Sequence, residues 1–551
     1  MLSGIIIELL QSEAKSSGSP HLIMRSLLSL SVLAAALMSA LVVDAAQTHN
    51  IEVSAEDAEA HACGEKCRRI LQVTNQEDNR TVGDLYNYDF YSTAPGFDPD
   101  SKKHRPGALL TAERLHSENV DIDAGTTIFR IQYVSRDEHN QSIPATAFIA
   151  FPYTSHAQRV QAHKAKRNVY RLAAFAHGTI GLYAGCAPSN APSLFDYSTW
   201  QAAVARGYAV VATDYAGLGN NYTTHKYLSM PLHANDIYYA VQAARKMFPR
   251  WFTDEWVSFG HSQGGGAVWK LAESDHVKDD VNYLGTVALA PATYFIDMFV
   301  DNIYTFKPGY LPFLPTAAAR FMPSYKPKVL SYLMEQRLEL AEKHQLCASA
   351  MLGLTADVPR NNLLVRGRKL WRQIGWLREW QMAVSPAQSK AKLRGPMMVV
   401  QGLSDTAVLH DTTRKAWDTS CSAGNYVHLR EYPGQEHSPV VQAAAAEWLG
   451  FMDDLFDRTT QWGEDPTEQT KKGEKTKKEE KTKKDEKTKK EEKTKTEEKT
   501  KTETLTKRKT DRCSVVRRQS ANMVTVKQPP EGGEELQRAI RSILDDKTLP
   551  N

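Results

Sequence analysis

The sequence predicts an α/β fold: a mostly parallel central sheet, helices on both faces, and a helical cap inserted near the middle of the chain. Three observations predict it. Short, almost wholly apolar runs recur at 170–176, 207–213, 256–259, 284–290 and 396–401, the pattern of strands buried on both faces. Helical stretches such as 235–248 fall between them, so strand and helix alternate as in a parallel sheet. The alternation then stops over 294–393, which is helical in pattern and broken by Pro308, Pro312, Pro315, Pro323 and Pro327. That stretch is too long for a plain crossover and suits a cap above the sheet.

Taken in order, the chain of 551 residues opens with a targeting signal. Residues 27–43 are apolar or small, Arg25 precedes them, and Asp44-Ala45-Ala46-Gln47 follows. This pattern predicts a signal peptide over 24–46, cleaved near Ala46, with 1–23 an upstream extension. The run is short for a spanning helix. The protein is therefore expected outside the cell. Six cysteines, Cys63, Cys67, Cys186, Cys347, Cys421 and Cys513, fit two or three bridges in a secreted enzyme. None joins with histidine at zinc-site spacing, so no metal or cofactor is expected. Asn79, Asn140 and Asn221 head Asn-x-Ser/Thr tripeptides and are glycan candidates.

Residues 47–85 are polar and read as a loose N-terminal arm. An irregular segment over 86–110 and strands at 127–134 and 144–150 lead to a basic, exposed stretch at 156–168. The strand at 170–176 ends in His177-Gly178-Thr179-Ile180-Gly181, and the strand at 207–213 in Asp214-Tyr215-Ala216-Gly217. The apolar stretch 256–259 then runs into Gly260-His261-Ser262-Gln263-Gly264-Gly265, and a helix over 263–271 runs out of it. This is a nucleophile elbow in its strand–turn–helix setting. Gly260 and Gly264 leave room for a tight turn, which lifts the Ser262 hydroxyl to the positive end of the helix. After the cap, the strand at 396–401 is followed by Gly402-Leu403-Ser404-Asp405. A helix near 411–419, a strand at 426–431, the loop Tyr432-Pro433-Gly434-Gln435-Glu436-His437 and a helix over 439–456 close the domain.

Acyl transfer by serine needs a base for the hydroxyl proton and a carboxylate to orient that base. Ser262, Asp405 and His437 occur in the order of α/β-hydrolase triads, with the last two in loops just after strands. Asp411 competes with Asp405 but reads as a helix N-cap, and Asp214 precedes the nucleophile. His428 falls within a strand, His261 points away from the serine, and His177 organises its own turn. The backbone N–H groups of Gln263 and Thr179 are the candidate oxyanion hole.

With these pieces in place, the sequence resembles the secretory lipase family, the fungal and microbial lipases related to Candida antarctica lipase A. The matching motifs are His177-Gly178-Thr179-Ile180-Gly181, Cys186-Ala187-Pro188-Ser189, Asp214-Tyr215-Ala216-Gly217, Gly260-His261-Ser262-Gln263-Gly264-Gly265 and Tyr432-Pro433-Gly434-x-x-His437, over about 86–457. The resemblance implies an α/β-hydrolase core over 86–293 and 394–457, a cap over 294–393 forming an acyl tunnel, and the triad named above. It also implies a bridge from Cys186 to Cys347, and hydrolysis of triacylglycerols or simpler esters. Cys421 has no obvious partner in this pattern.

The remainder, 458–551, departs from the family. Over 471–510 it holds 18 basic and 10 acidic residues among threonines, leaving 50 basic and 54 acidic elsewhere, although the whole chain is +4. Such a tract cannot bury a core and reads as disordered, with one short helix at 534–545. Its local excess of +8 suits weak contact with anionic surfaces. A chain ending at Asp457 is expected to keep its stability. The acidic remainder gives no reason to expect nucleic-acid binding. The reading is a secreted serine carboxylester hydrolase, a triacylglycerol lipase with a monomeric core, working on an ester or lipid at a lipid–water interface. The alternatives are an esterase or acyl-peptidase on small soluble substrates, and a non-catalytic surface protein on the same scaffold.

Overall fold

Strands in this chain alternate their side chains between two buried layers. In β4 (Tyr170–Ala176), Leu172, Ala174 and Ala176 enter one core, while Ala173 and Phe175 enter the other. Period-2 alternation with apolar residues on both sides requires helices on both faces. The structure, a computed structural model, describes residues 49–82, 87–155, 169–302, 307–388, 390–458, 512–518 and 533–549. The expected signal peptide, the upstream extension, the basic stretch at 156–168 and most of the Lys/Glu/Thr stretch lie outside these residues.

The helices α1 (Ala55–Ala60) and α2 (Glu65–Val82) come first. They are followed by β1 (Leu109–Arg114), β2 (Thr126–Arg136), β3 (Ser142–Pro152) and β4. Next come α3 (Trp200–Ala205), β5 (Tyr208–Thr213), α4 (Met230–Met247), β6 (Phe252–His261), α5 (Gln263–Ala272) and β7 (Tyr283–Leu289). The insertion carries α6 (Phe295–Asp301), α7 (Phe313–Phe321), α8 (Tyr332–Lys343), α9 (Ala348–Gly353) and α10 (Arg368–Val384). The sheet resumes with β8 (Met397–Gly402), α11 (His410–Ser422), β9 (Val427–Tyr432), α12 (Pro439–Ala443) and α13 (Ala445–Asp457). Last are β10 (Cys513–Arg517) and α14 (Gly533–Asp545).

The strand order is β1-β2-β3-β5-β4-β6-β7-β8-β9-β10. The pairs β1–β2, β2–β3 and β3–β5 are antiparallel, and every pair from β5–β4 to β9–β10 is parallel. One core joins α4, α5 and the cap to the sheet; Trp200, Trp448 and Met452 of α3 and α13 fill the other. From β4 the chain moves to β5 on one side and returns to β6 on the other. That reversal opens a crevice at the carboxyl ends of β4 and β6, where α/β sheets place their ligands.

Two regions differ from the sequence expectation. The N-terminal arm is packed rather than loose: Cys63, Cys67, Ile70 and Leu71 are buried, and Cys63 is bonded to Cys67. Its polar letters hide an amphipathic helix whose inner face meets α9; there Asp78 accepts the N–H groups of Ser349 and Ala350, each at 2.9 Å. The C-terminal region, read as a disordered tail, instead adds β10 to the sheet beside β9, with Cys513 bonded to Cys421. Arg517 pairs with Glu431 at 2.9 Å, and Arg518 pairs with Glu447. A strand of five residues after so long a charged stretch leaves no compositional trace. Smaller differences are β1, which fell within or beside the irregular segment, and the break at Ala444 that divides the last expected helix.

Candidate active site

Ser262 sits between β6 and α5 with φ 58° and ψ −118°, a left-handed conformation for a non-glycine residue. Such strain costs about 1–3 kcal/mol and persists only where the surroundings impose it. Here the glycines impose it. A Cβ on Gly264 would lie 1.9 Å from the Ala176 carbonyl oxygen, and one on Gly260 would lie 2.4 Å from the Gly264 oxygen. The start of α5 is thus pressed against β4 and β6. The Ser262 N–H donates to Leu289 O at 2.9 Å, and the Ser262 carbonyl accepts from Ala292 N at 2.9 Å, which ties the turn to β7 and its exit.

Asp405 and His437 leave the carboxyl ends of β8 and β9. The Nδ1–H of His437 donates to Asp405 Oδ2 at 2.7 Å, with both side chains buried. The other carboxylate oxygen accepts the N–H groups of Ala407 and Val408, each at 2.8 Å. Gln401, the penultimate residue of β8, donates from Nε2 to Asp405 Oδ2 at 3.1 Å and to Val408 O at 3.0 Å. Its Oε1 accepts from Thr413 Oγ1 at 2.7 Å. Sequence reasoning passed over Gln401; a lone amide at the end of an apolar strand was the only signal. Asp411 is not an N-cap. Leu409 holds that position, and the Asp411 side chain is fully exposed. Asp214 is buried and accepts from Ser189 N, Ser189 Oγ and Thr146 Oγ1 at 2.9, 2.5 and 2.7 Å, a structural tie.

The Gly178-Thr179 turn closes the other side. A Cβ on Gly178 would lie 3.4 Å from Ser262 Cβ. The hydroxyls of Thr179 and Tyr227 are 2.6 Å apart. The turn is held by the Cys186–Cys347 disulfide and by Ala348 N donating to Ile180 O at 3.0 Å. Arg320 of α7 adds to this base, donating to Leu182 O and His225 O at 2.8 and 2.9 Å.

His261 turns away from the serine, and the destination is informative. Its ring lies 4.5 Å from that of His437. Its Nε2 is 3.2 Å from the His437 carbonyl, which can only accept, so the imidazole proton sits on Nε2. Nδ1 then accepts from the Tyr197 hydroxyl at 2.9 Å, and that hydroxyl accepts the Gly178 N–H at 3.3 Å. Gly178, Tyr197, His261 and His437 form one directional chain. Behind Gln263 lies a second histidine group: its Nε2 is 3.1 Å from His233 Nε2 and 3.5 Å from His225 Nε2. Burial pushes His225 down to about 3, His177 down to about 4, and His233 well below its usual value, so all three are neutral at pH 7.

Above Ser262 a cavity of about 40 Å³ is bounded by Thr179, Tyr227, Phe295, Met298, Leu314 and Val408, among others. Its twelve lining residues carry no charged side chain. Among the described residues, no group of His, Cys, Asp and Glu is placed to hold a metal ion.

This arrangement has the α/β-hydrolase fold, and comparisons with known proteins agree. A family model described as serine aminopeptidase, S33, matches residues 197–442, which is under half the chain. Among solved structures, the rice cell wall degrading esterase LipA from Xanthomonas oryzae is similar at 16% identity and TM-score 0.53, over 64% of this chain and 100% of that one. A Legionella pneumophila protein is similar at 15% identity and TM-score 0.52, over 64% and 99%. Candida antarctica lipase A in its closed state gives 16% identity and TM-score 0.49, over 66% and 86%. No curated protein matches. At 15–16% identity the two likenesses with TM-scores above 0.5 show the α/β-hydrolase fold and no particular family.

Proposed function

We propose that the protein is a secreted serine carboxylester hydrolase. The observation that carries this reading is the strained Ser262 elbow on the same sheet edge as the buried Asp405–His437 pair. In this reading His437 takes the hydroxyl proton as Ser262 Oγ attacks the ester carbonyl, and Asp405 holds the imidazole in the required tautomer and stabilises its charge. The N–H of Gln263, first in α5, and that of Thr179 receive the oxyanion; losing one such donor costs about 3 kcal/mol. His437 then protonates the leaving alcohol, and water releases the acyl group by the same steps in reverse. Support for secretion comes from the signal-like N-terminus and from three disulfides, bonds that persist in oxidising compartments.

An uncharged pocket favours an acyl chain over a peptide with a free amino group, which would want a carboxylate beside it. Triacylglycerol is the proposed substrate class. A cavity of about 40 Å³ admits a short acyl group, so long chains require the cap helices α6 and α7 to part. A fluorophosphonate is expected to label Ser262, and Ser262→Ala to abolish hydrolysis while keeping the fold. A panel from short nitrophenyl esters to emulsified triacylglycerol then separates esterase from lipase. A folded Ser262→Ala variant with wild-type turnover would sink the proposal.

A further inference from the structure

Helix α10 of the cap breaks a rule that helices usually obey. The N-terminus of a helix carries positive partial charge, and cations there are unfavourable. Yet α10 begins Arg368-Lys369-Leu370-Trp371-Arg372, with no acidic residue in its first turn. Among the described residues, none of Arg368, Lys369 and Arg372 is in an ion pair, and the two lysines of the adjoining loop, Lys326 and Lys328, are also exposed. That loop is held beside α10 by Gln373, which accepts from Tyr325 Oη at 2.7 Å and from Lys328 N at 3.2 Å.

The same outer face carries large apolar side chains. Ile374, Leu377, Trp380 and Val384 point into the cap core, as 3.6-residue spacing requires. Arg368 and Arg372 lie at the centre of the opposite face, with Trp371 and Met382 on one flank and Trp376 on the other. Trp371 is 64% exposed, Met382 61% and Trp376 46%. Trp beside Lys and Arg is the composition of surfaces that settle at a lipid headgroup layer, where the ring enters the interface and the cation meets phosphate. Position adds to composition. α10 packs against α6 and α7, with Phe295 on Trp380 at 5.0 Å, and those helices supply Phe295, Met298 and Leu314 to the cavity above Ser262.

We propose that this outer face of α10, with the Lys326–Lys328 loop, docks the protein onto an anionic phospholipid surface. The cations kept at the wrong end of the helix are the headgroup contacts, and Trp371 and Trp376 are the apolar anchors. Binding is read without catalysis, so it stands or falls apart from the role proposed for Ser262.

The test is flotation of the full chain with vesicles of phosphatidylcholine alone and of phosphatidylcholine with phosphatidylglycerol. Wild type is expected to float with the mixed vesicles and not with the neutral ones, and to be released by salt. Arg368→Gln, Lys369→Gln and Arg372→Gln together should weaken binding on the order of 100-fold. Trp371→Ala with Trp376→Ala should weaken it as well. The glutamine variant should also melt no lower than wild type, because its charges serve no contact within the fold. Equal binding of the glutamine variant and wild type would assign the contact to the Lys/Glu/Thr stretch and overturn the proposal. Equal binding to neutral vesicles, no binding at all, or a marked loss of stability in the glutamine variant would overturn it too.

Discussion

Tyr197 reaches across the crevice to do what neither the oxyanion turn nor the base loop does for itself. Its hydroxyl is the shared partner of Gly178 N–H and His261 Nδ1, and His261 passes the direction on to the His437 carbonyl. The segment that presents it is strained, with positive φ at Leu194, Phe195 and Ser198, and is braced by Asp196 accepting from Ser198 N and Thr199 N. Tyr197→Phe keeps the ring and removes the link. Turnover on a soluble ester is expected to fall on the order of 10- to 100-fold, since small misplacements of reacting groups are costly, with KM little changed. Because Tyr197 and His261 act in series, adding His261→Leu to Tyr197→Phe should cost less than the product of the single losses. Fully multiplicative losses would show that the two act separately. The positions of Ser262, Asp405 and His437 just beyond the carboxyl ends of three strands were legible in the sequence, because each lies in a turn-rich motif that follows an apolar run. Tyr197, Tyr227 and Gln401 were not: a tyrosine in a loop or a glutamine in a strand carries no spacing signal, and only the folded distances single them out.

Among the elements, the parallel strands were read to within a residue or two at β4, β5, β7, β8 and β9, since their apolar runs are bounded by turns. Helix α4 begins at Met230, five residues before its expected start, because Pro231 occupies a first-turn position where its missing N–H is no loss. The ends of the chain were least legible. Helix α2 is a polar sequence with one thin buried stripe, and β10 pairs with a strand more than eighty residues away, so its register has no local signature. This reverses the expectation for the tail. Stopping the chain after Asp457, or replacing Cys513 with Ser, is expected to lower the thermal midpoint. The Cys421–Cys513 bridge spans 92 residues, and closing such a loop stabilises by up to about 5 kcal/mol in the chain-entropy account. Differential scanning fluorimetry of the two variants beside wild type checks this, and unchanged melting would show that β10 adds nothing to the sheet.

At the scale of the molecule, buried titratable groups set an acid limit. Burial holds His177, His225, His233, His276 and His428 below their usual pKa, so the unfolded chain binds protons that the folded one refuses. Stability from these five is present above about pH 6.5 and is lost as pH falls. Asp78 and Asp236 act oppositely. Burial raises each to about 7, so their contribution falls as pH rises towards that value. Burial raises Asp214 and Glu273 as well, so five histidines stand against four carboxylates, and the histidines, held at about 4 or below, leave a melting temperature that drops between about pH 6.5 and pH 4. A flat profile across that range would contradict the buried, neutral state of the histidines. The path of the chain through β10 has another consequence, one of connectivity. In sequence the lysine-rich stretch lies between α13 and β10, and β10 is locked beside β9 by a covalent bond. A protease that cuts after lysine in that stretch would therefore not release the segment carrying β10. It would turn one polypeptide into two fragments that still travel as a single particle, whose true number of pieces shows only after a thiol reductant is added.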